Sequence, residues 1–103
     1  MGPFFKTLIA AAAVGDGSRE IKLKNYTNAL DILSQFENDE IDDVWVASCQ
    51  YMLGSLYLNG LGVSKNEGKA ISIYQLSASA GNDDAINYMR QWNAKERSKN
   101  SNK

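Results

Sequence analysis

The chain has 103 residues, of which 44% are hydrophobic and 22% charged, and a net charge of −1. That is enough for one domain with one modest core, and the near-neutral balance argues against nucleic acid as the main partner. Histidine is absent, which removes the commonest general base and transition-metal ligand, and the single cysteine, Cys49, rules out an intrachain disulfide.

The opening stretch, MGPFFKTLIAAAAVGDG, can be read as a secretory signal or as the first helix of the domain. The apolar run after Lys6 is short and no basic region precedes Phe4. Phe5, Ile9 and Ala12 fall at helical spacing, so a helix with that stripe towards the core is the better reading. Pro3 suits its first turn. No segment approaches the ~20 apolar residues that span a membrane. The following GDGSREIKLKN reads as a loop. Tyr26 to Phe36 then reads as a second helix, with Tyr26, Ala29, Leu30 and Leu33 as its core face.

Glu37-Asn38-Asp39-Glu40-Ile41-Asp42-Asp43 is dense in carboxylates. The plain reading is a solvated loop whose last acids cap the next helix. The functional reading is a docking patch in which Asp39, Glu40, Asp42 and Asp43 face a basic partner. The spacing does not follow a calcium loop, whose central glycine is missing.

From Cys49 the pattern sharpens. Cys49, Met52, Leu53, Leu56 and Tyr57 make one apolar helical stripe, which stops at Asn59-Gly60-Leu61-Gly62. Ser64 and Asn66 are both plausible caps for a helix with Ala70, Ile73, Tyr74 and Ser77 on its core face. Gly81 ends that helix. Asn82 or Asp83 caps a last one carrying Ala85, Ile86, Met89 and Trp92, with Tyr88 off the stripe. The end, AKERSKNSNK, has no apolar face and reads as a frayed or disordered tail.

This central stretch closely resembles the Sel-one-like repeat (SLR), a relative of the tetratricopeptide repeat, whose pattern is roughly A-x3-L-G-x2-Y-x2-G-x-G-V, a K-A pair, then W-Y-x2-A-A-x2-G-x3-A. Leu53-Gly54, Tyr57, Gly60, Gly62-Val63, Lys69-Ala70, Tyr74, Ala78, Gly81 and Ala85 occupy those positions. Cys49, Ile73 and Ser77 stand where the family usually has Ala, Trp and Ala. Cys49 and Ala85 lie 36 residues apart, the family's period. Lys24-Asn25 with Ala29 repeats Lys65-Asn66 with Ala70 at an offset of 41 residues, so the first half reads as a degenerate repeat.

The expected architecture is therefore all-α: a short right-handed stack of αα-hairpins, an α-solenoid of about five helices. A single domain over 1–95 would comprise a degenerate repeat at about 5–40, a full repeat at about 44–82 and a closing helix at about 83–95, followed by a polar tail at 96–103.

No catalytic, cofactor or metal site emerges. Gly60-Leu61-Gly62 follows a helix and lacks the third glycine of a dinucleotide fingerprint, and Asp83-Asp84 suits a helix start. The resemblance implies a protein-binding module, an adaptor or scaffold, that uses the concave side of its stacked helices. Candidate contacts there are Gln50, Tyr51, Ser55, Asn87 and Gln91. Trp45, Tyr51, Tyr88 and Trp92 are the aromatic anchors to mutate first. Two narrower expectations remain: an immunity protein that neutralises a bacterial toxin or effector, and a unit that pairs with its own copy through an open C-terminal end at Met89 and Trp92. The lone cysteine and the weak signal favour the cytoplasm. The periplasm would fit if a signal had been removed or replaced.

Overall fold

A computed structural model describes residues 3–101. It contains helices α1 (Pro3–Lys22), α2 (Tyr26–Leu33), α3 (Val44–Asn59), α4 (Glu67–Ser79) and α5 (Asp83–Ser101), with a 3-10 turn at Ser34–Phe36 prolonging α2. No strand occurs among the described residues. Helix α1 packs on α2 and α3, α3 packs on α2 and α4, and α4 packs on α5. Two αα-hairpins and a closing helix follow one another, which is the all-α repeat stack that the sequence predicts.

The central hairpin forms as its residues dictate. Cys49, Leu53 and Leu56 of α3 are buried, with Met52 and Tyr57 half-buried beside them. Ala70, Ile73, Tyr74 and Ser77 of α4 are all buried. Gly54 is required where the helices touch: a Cβ there would lie 2.7 Å from the Tyr74 ring. Helix α3 ends on Gly60, whose N–H donates to the Leu56 carbonyl oxygen, as does the N–H of Leu61. Gly62, at φ 73°, brings the turn against Tyr26 of α2, and so ties the two hairpins together. Asn66 is the cap of α4, its Oδ1 accepting from the Lys69 N–H at 3.0 Å. Asn82 serves α5 in the same way, accepting from the Ala85 N–H at 2.9 Å.

Two positions that depart from the family pattern make inter-helix ties. Ser77 donates to the Ala47 carbonyl oxygen at 2.6 Å, joining α4 to α3. Cys49 Sγ lies 3.5 Å from the Ala10 carbonyl oxygen, joining α3 to α1. Burial, followed by the negative charge of Asp43, pushes the Cys49 thiol up to about 12.

The first hairpin corrects the sequence reading twice. The segment read as a loop, GDGSREIKLKN, is helical as far as Lys22, and the chain turns only at Leu23–Asn25, with Lys24 at φ 62°. Glycine within a helix costs about 1 kcal/mol relative to alanine, but Gly17 is where Leu33 of α2 lands. A Cβ there would sit 3.0 Å from Leu33 Cδ2. The stripe expected to face the core also faces the wrong way. Phe5, Leu8 and Ile9 are 43%, 55% and 36% exposed, and Ala12 is exposed too. Ala10 and Ala13 are the buried positions. Close approach of α1 to its neighbours selects the small residues for the interior and turns the larger ones outwards.

At the other end, α5 buries Ala85 and Met89 and half-buries Ile86 and Trp92. The helix continues to Ser101, beyond the boundary near Lys95 that its apolar pattern suggests. Ala, Lys, Glu and Arg are good helix formers without a core to face, and Lys99 pairs with Glu96 at 3.4 Å. Asn102 and Lys103 of the expected tail lie outside the described residues.

Candidate protein-interaction surface

The acidic stretch resolves into internal and external parts. Asp43 is the cap of α3: its Oδ1 accepts from the Trp45 and Val46 N–H groups at 2.9 and 3.0 Å. Thr7 of α1 donates to its Oδ2 at 2.6 Å. Burial alone would raise this carboxyl, but the bonds from Thr7, Val46 and Trp45 together outweigh it and hold Asp43 below the usual carboxylate range. Asp39 pairs with Lys6 of α1 at 3.0 Å with its side chain only 9% exposed. Glu37 pairs with Lys69 of α4 at 3.2 Å.

Gln50, expected to line the groove, is fully buried. Its amide donates to the Phe36 and Asp39 carbonyl oxygens at 3.0 and 2.6 Å. It pins the acidic turn to α3 from inside and has no surface to offer a partner. Asp39, Asp43 and Gln50 therefore serve the fold. A polar residue on a helical stripe looks alike in sequence whether it meets solvent or a buried carbonyl.

Glu40 and Asp42 remain exposed. With Leu76, Ser79 and Ala80 at the end of α4 they line a concavity of about 190 Å³. Glu40 also borders a broader one of about 380 Å³, beside Lys6, Ser34, Gln35 and Asn38.

The second surface is aromatic and spans α3 and α5. Tyr74, buried on α4, is flanked by Tyr51 of α3, stacked at 5.3 Å between ring centroids, and by Tyr88 of α5, tilted at 4.7 Å. The Tyr74 hydroxyl is 2.8 Å from Ser55 Oγ of α3, and Ser55 donates to the Tyr51 carbonyl oxygen at 3.0 Å. Burial raises both the Tyr74 and the Tyr88 phenols above their ordinary value, with Glu67 adding to the effect at Tyr88. Tyr51, Ser55, Tyr88 and Trp92 are each half-buried, while Asn87 and Gln91 are exposed. Tyr88, Gln91, Trp92 and Lys95 line a small cavity of about 50 Å³. Trp45, at the start of α3, is 43% exposed.

Tyr51, Tyr88 and Trp92 from the expected set thus share one cluster, and Ser55 is bonded into it. Trp45 stands apart near the acidic turn. Sequence reasoning missed Lys95 as a wall of the small cavity, and missed that Tyr74 links α3 to α5. A tyrosine on a core stripe carries no mark of which neighbours it touches.

Among the described residues no group of three or more Cys, Asp or Glu side chains is placed to hold a metal ion, and no helix is long and apolar enough to cross a membrane. Comparison with curated proteins and with solved structures gives no match. Residues 47–82, which run from α3 through the glycine turn and α4 to the cap of α5, match the family model of the Sel1 repeat. Sel1 repeats generally mediate protein–protein interaction and are typically non-catalytic. The matched segment is the α3–α4 hairpin without the first turn of α3, and it lies between the α1–α2 hairpin and the closing helix α5.

Proposed function

We propose that the chain is a non-catalytic adaptor that binds another protein on the tyrosine surface that runs across α3, α4 and α5. The observation that carries this reading is the Tyr51–Tyr74–Tyr88 column, with Trp92 and Gln91 beside it. Buried Tyr74 holds Tyr51 and Tyr88 in place while both keep part of their rings in solvent. A partner that covers them gains aromatic burial with little rotamer entropy to remove, and this is the composition of binding hot spots. The lone buried thiol suits the reducing cytoplasm as the working compartment.

Affinity capture from native lysate tests the reading. One stoichiometric partner should be retained by the wild type and by a Ser72→Ala control on α4, and lost by a Gln91→Ala, Tyr88→Ala variant that keeps its helical content. Equal retention by all three would refute the tyrosine surface as the binding surface.

A second reading is an immunity protein for a bacterial toxin. It is favoured by Glu40 and Asp42, both exposed on the concavity at the end of α4, with Glu40 also bordering the broader one, and so suited to a basic partner. A Glu40→Lys, Asp42→Lys variant should then lose a basic partner while the Gln91→Ala, Tyr88→Ala variant keeps it.

A further inference from the structure

Lysine stands in the same place in both hairpins. Lys24-Asn25 precedes α2 and Lys65-Asn66 precedes α4, and the two asparagines hold the N-cap positions of those helices. Each lysine therefore lies one residue outside the positive end of a helix, where the dipole disfavours a cation. Lys24 also carries backbone strain. It is the one non-glycine residue at positive φ among the described residues, at 62°. The α1–α2 turn closes with the Lys24 N–H donating to the Ile21 carbonyl oxygen and the Asn25 N–H to the Glu20 carbonyl oxygen. Glycine or asparagine fills that left-handed position at less cost. Helix stability explains neither lysine.

Gly62 packs on Tyr26 and so brings the α3–α4 turn against the start of α2. Lys22, Lys24 and Lys65 thus share one end of the stack. All three are exposed, and none makes an ion pair among the described residues. The nearby carboxylates of α1 are occupied: Asp16 and Glu20 pair with Arg19, and Glu20 also accepts from Asn28. Glu67, in the first turn of α4, is left against three lysines. The acidic turn lies at the far end of α3, about 24 Å away along its 16 residues. That is beyond the ~10 Å Debye length at ~0.1 M salt. Between Lys22 and Lys24, Leu23 is 61% exposed.

We propose that this end of the stack docks on an anionic lipid surface. Leu23 enters the boundary of headgroups and acyl chains, and Lys22, Lys24 and Lys65 are held at the phosphates. The unneutralised lysines select a negatively charged partner. The exposed leucine between two of them selects a bilayer over a nucleic acid, because a bilayer takes in an apolar side chain and a phosphate backbone does not. Each lysine near such a surface raises affinity roughly five-fold, so three lysines and one leucine give a reversible, salt-dependent attachment. The tyrosine surface takes no part, so the proposal stands or falls independently of the adaptor reading.

Co-sedimentation of the full chain with vesicles tests it. At about 50 mM salt the chain should bind phosphatidylcholine–phosphatidylglycerol vesicles, ignore pure phosphatidylcholine, and be released at about 500 mM salt. Lys24→Gly removes charge and backbone strain together. It should keep or raise the thermal midpoint while weakening binding roughly five-fold. Leu23→Ser should weaken binding about ten-fold or more, and the exposed Arg90→Gln on α5 should change it by less than about two-fold. The proposal is overturned by no binding to the anionic vesicles, or by equal binding to the neutral ones. It is equally overturned if Lys24→Gly or Leu23→Ser binds as the wild type does, or if Arg90→Gln loses as much as Lys24→Gly. Retention on duplex DNA or polyglutamate without vesicle binding would overturn it in favour of a nucleic acid or an acidic protein.

Discussion

Gly62→Ala tests how the two hairpins are joined. Gly62 sits at φ 73°, and a Cβ there would lie 2.7 Å from Tyr26 Cβ, 2.9 Å from the Tyr26 backbone carbon and 3.0 Å from Leu30 Cδ1. Two penalties combine. Left-handed backbone costs an L-residue roughly 1–2 kcal/mol, and forcing an atom into filled space costs roughly 1–3 kcal/mol. The sum is about 2–5 kcal/mol, a large share of the ~5–15 kcal/mol typical of a whole domain. Gly81 separates the terms: it has φ 96° but nothing within 4 Å of its virtual Cβ. Gly81→Ala should therefore lose only the backbone part, roughly 1–2 kcal/mol. Urea unfolding followed by circular dichroism reads both variants. At a slope near ~1 kcal/mol per molar urea for a chain this small, the Gly62→Ala midpoint should fall at least ~1 M below that of Gly81→Ala. Equal midpoints would refute the claim that the glycine turn is packed between the hairpins.

Three further outcomes follow from the polar ties. Gln50→Leu strands the Phe36 and Asp39 carbonyl oxygens and should destabilise by about 2 kcal/mol in the same urea assay; a neutral result would remove Gln50 as the anchor of the acidic turn. Asp43 has a folded pKa below its unfolded value, so its contribution to stability is present above the unfolded value and is lost as pH falls through the folded one. Wild-type urea midpoints should drop from pH 7 to pH 3, and Asp43→Asn should show a shallower drop; parallel pH curves would contradict the assignment. The Cys49 thiol, pushed to about 12 and fully buried, should resist a disulfide reagent at pH 8 in native protein and react once urea unfolds the chain; prompt native labelling would show α1 and α3 parting.

The central hairpin was legible because its constraints are local. Gly60 must leave the helix, Asn66 must cap, and Ala70, Ile73, Tyr74 and Ser77 repeat at the period of one buried face. The first helix was not, because size misled. Phe5 and Ile9 are the larger apolar residues, yet the close packing of α1 chooses Ala10, Ala13 and Gly17 for the interior. The helical run through Gly15 and Gly17 was hidden for the same reason: the gain from seating Leu33 on Gly17 is tertiary, and glycine's local preference opposes it. In the interaction surface, the aromatic residues were visible but their partners were not. Tyr51 and Tyr88 are far apart in sequence and meet only through Tyr74. Gln50 and Asp39 looked like surface groups because the carbonyl oxygens and the Lys6 ammonium that hold them come from other segments.

Site-specific photocrosslinking tests the proposed protein-binding surface most directly. A benzophenone side chain placed at Gln91 of α5 or at Ser72 of α4, both exposed positions, is irradiated in native lysate. The tyrosine surface predicts one discrete covalent adduct from position 91 and none from position 72, with the position-91 adduct abolished by Tyr88→Ala. Adducts from position 72 alone, or none from position 91, would contradict a binding surface across α3, α4 and α5.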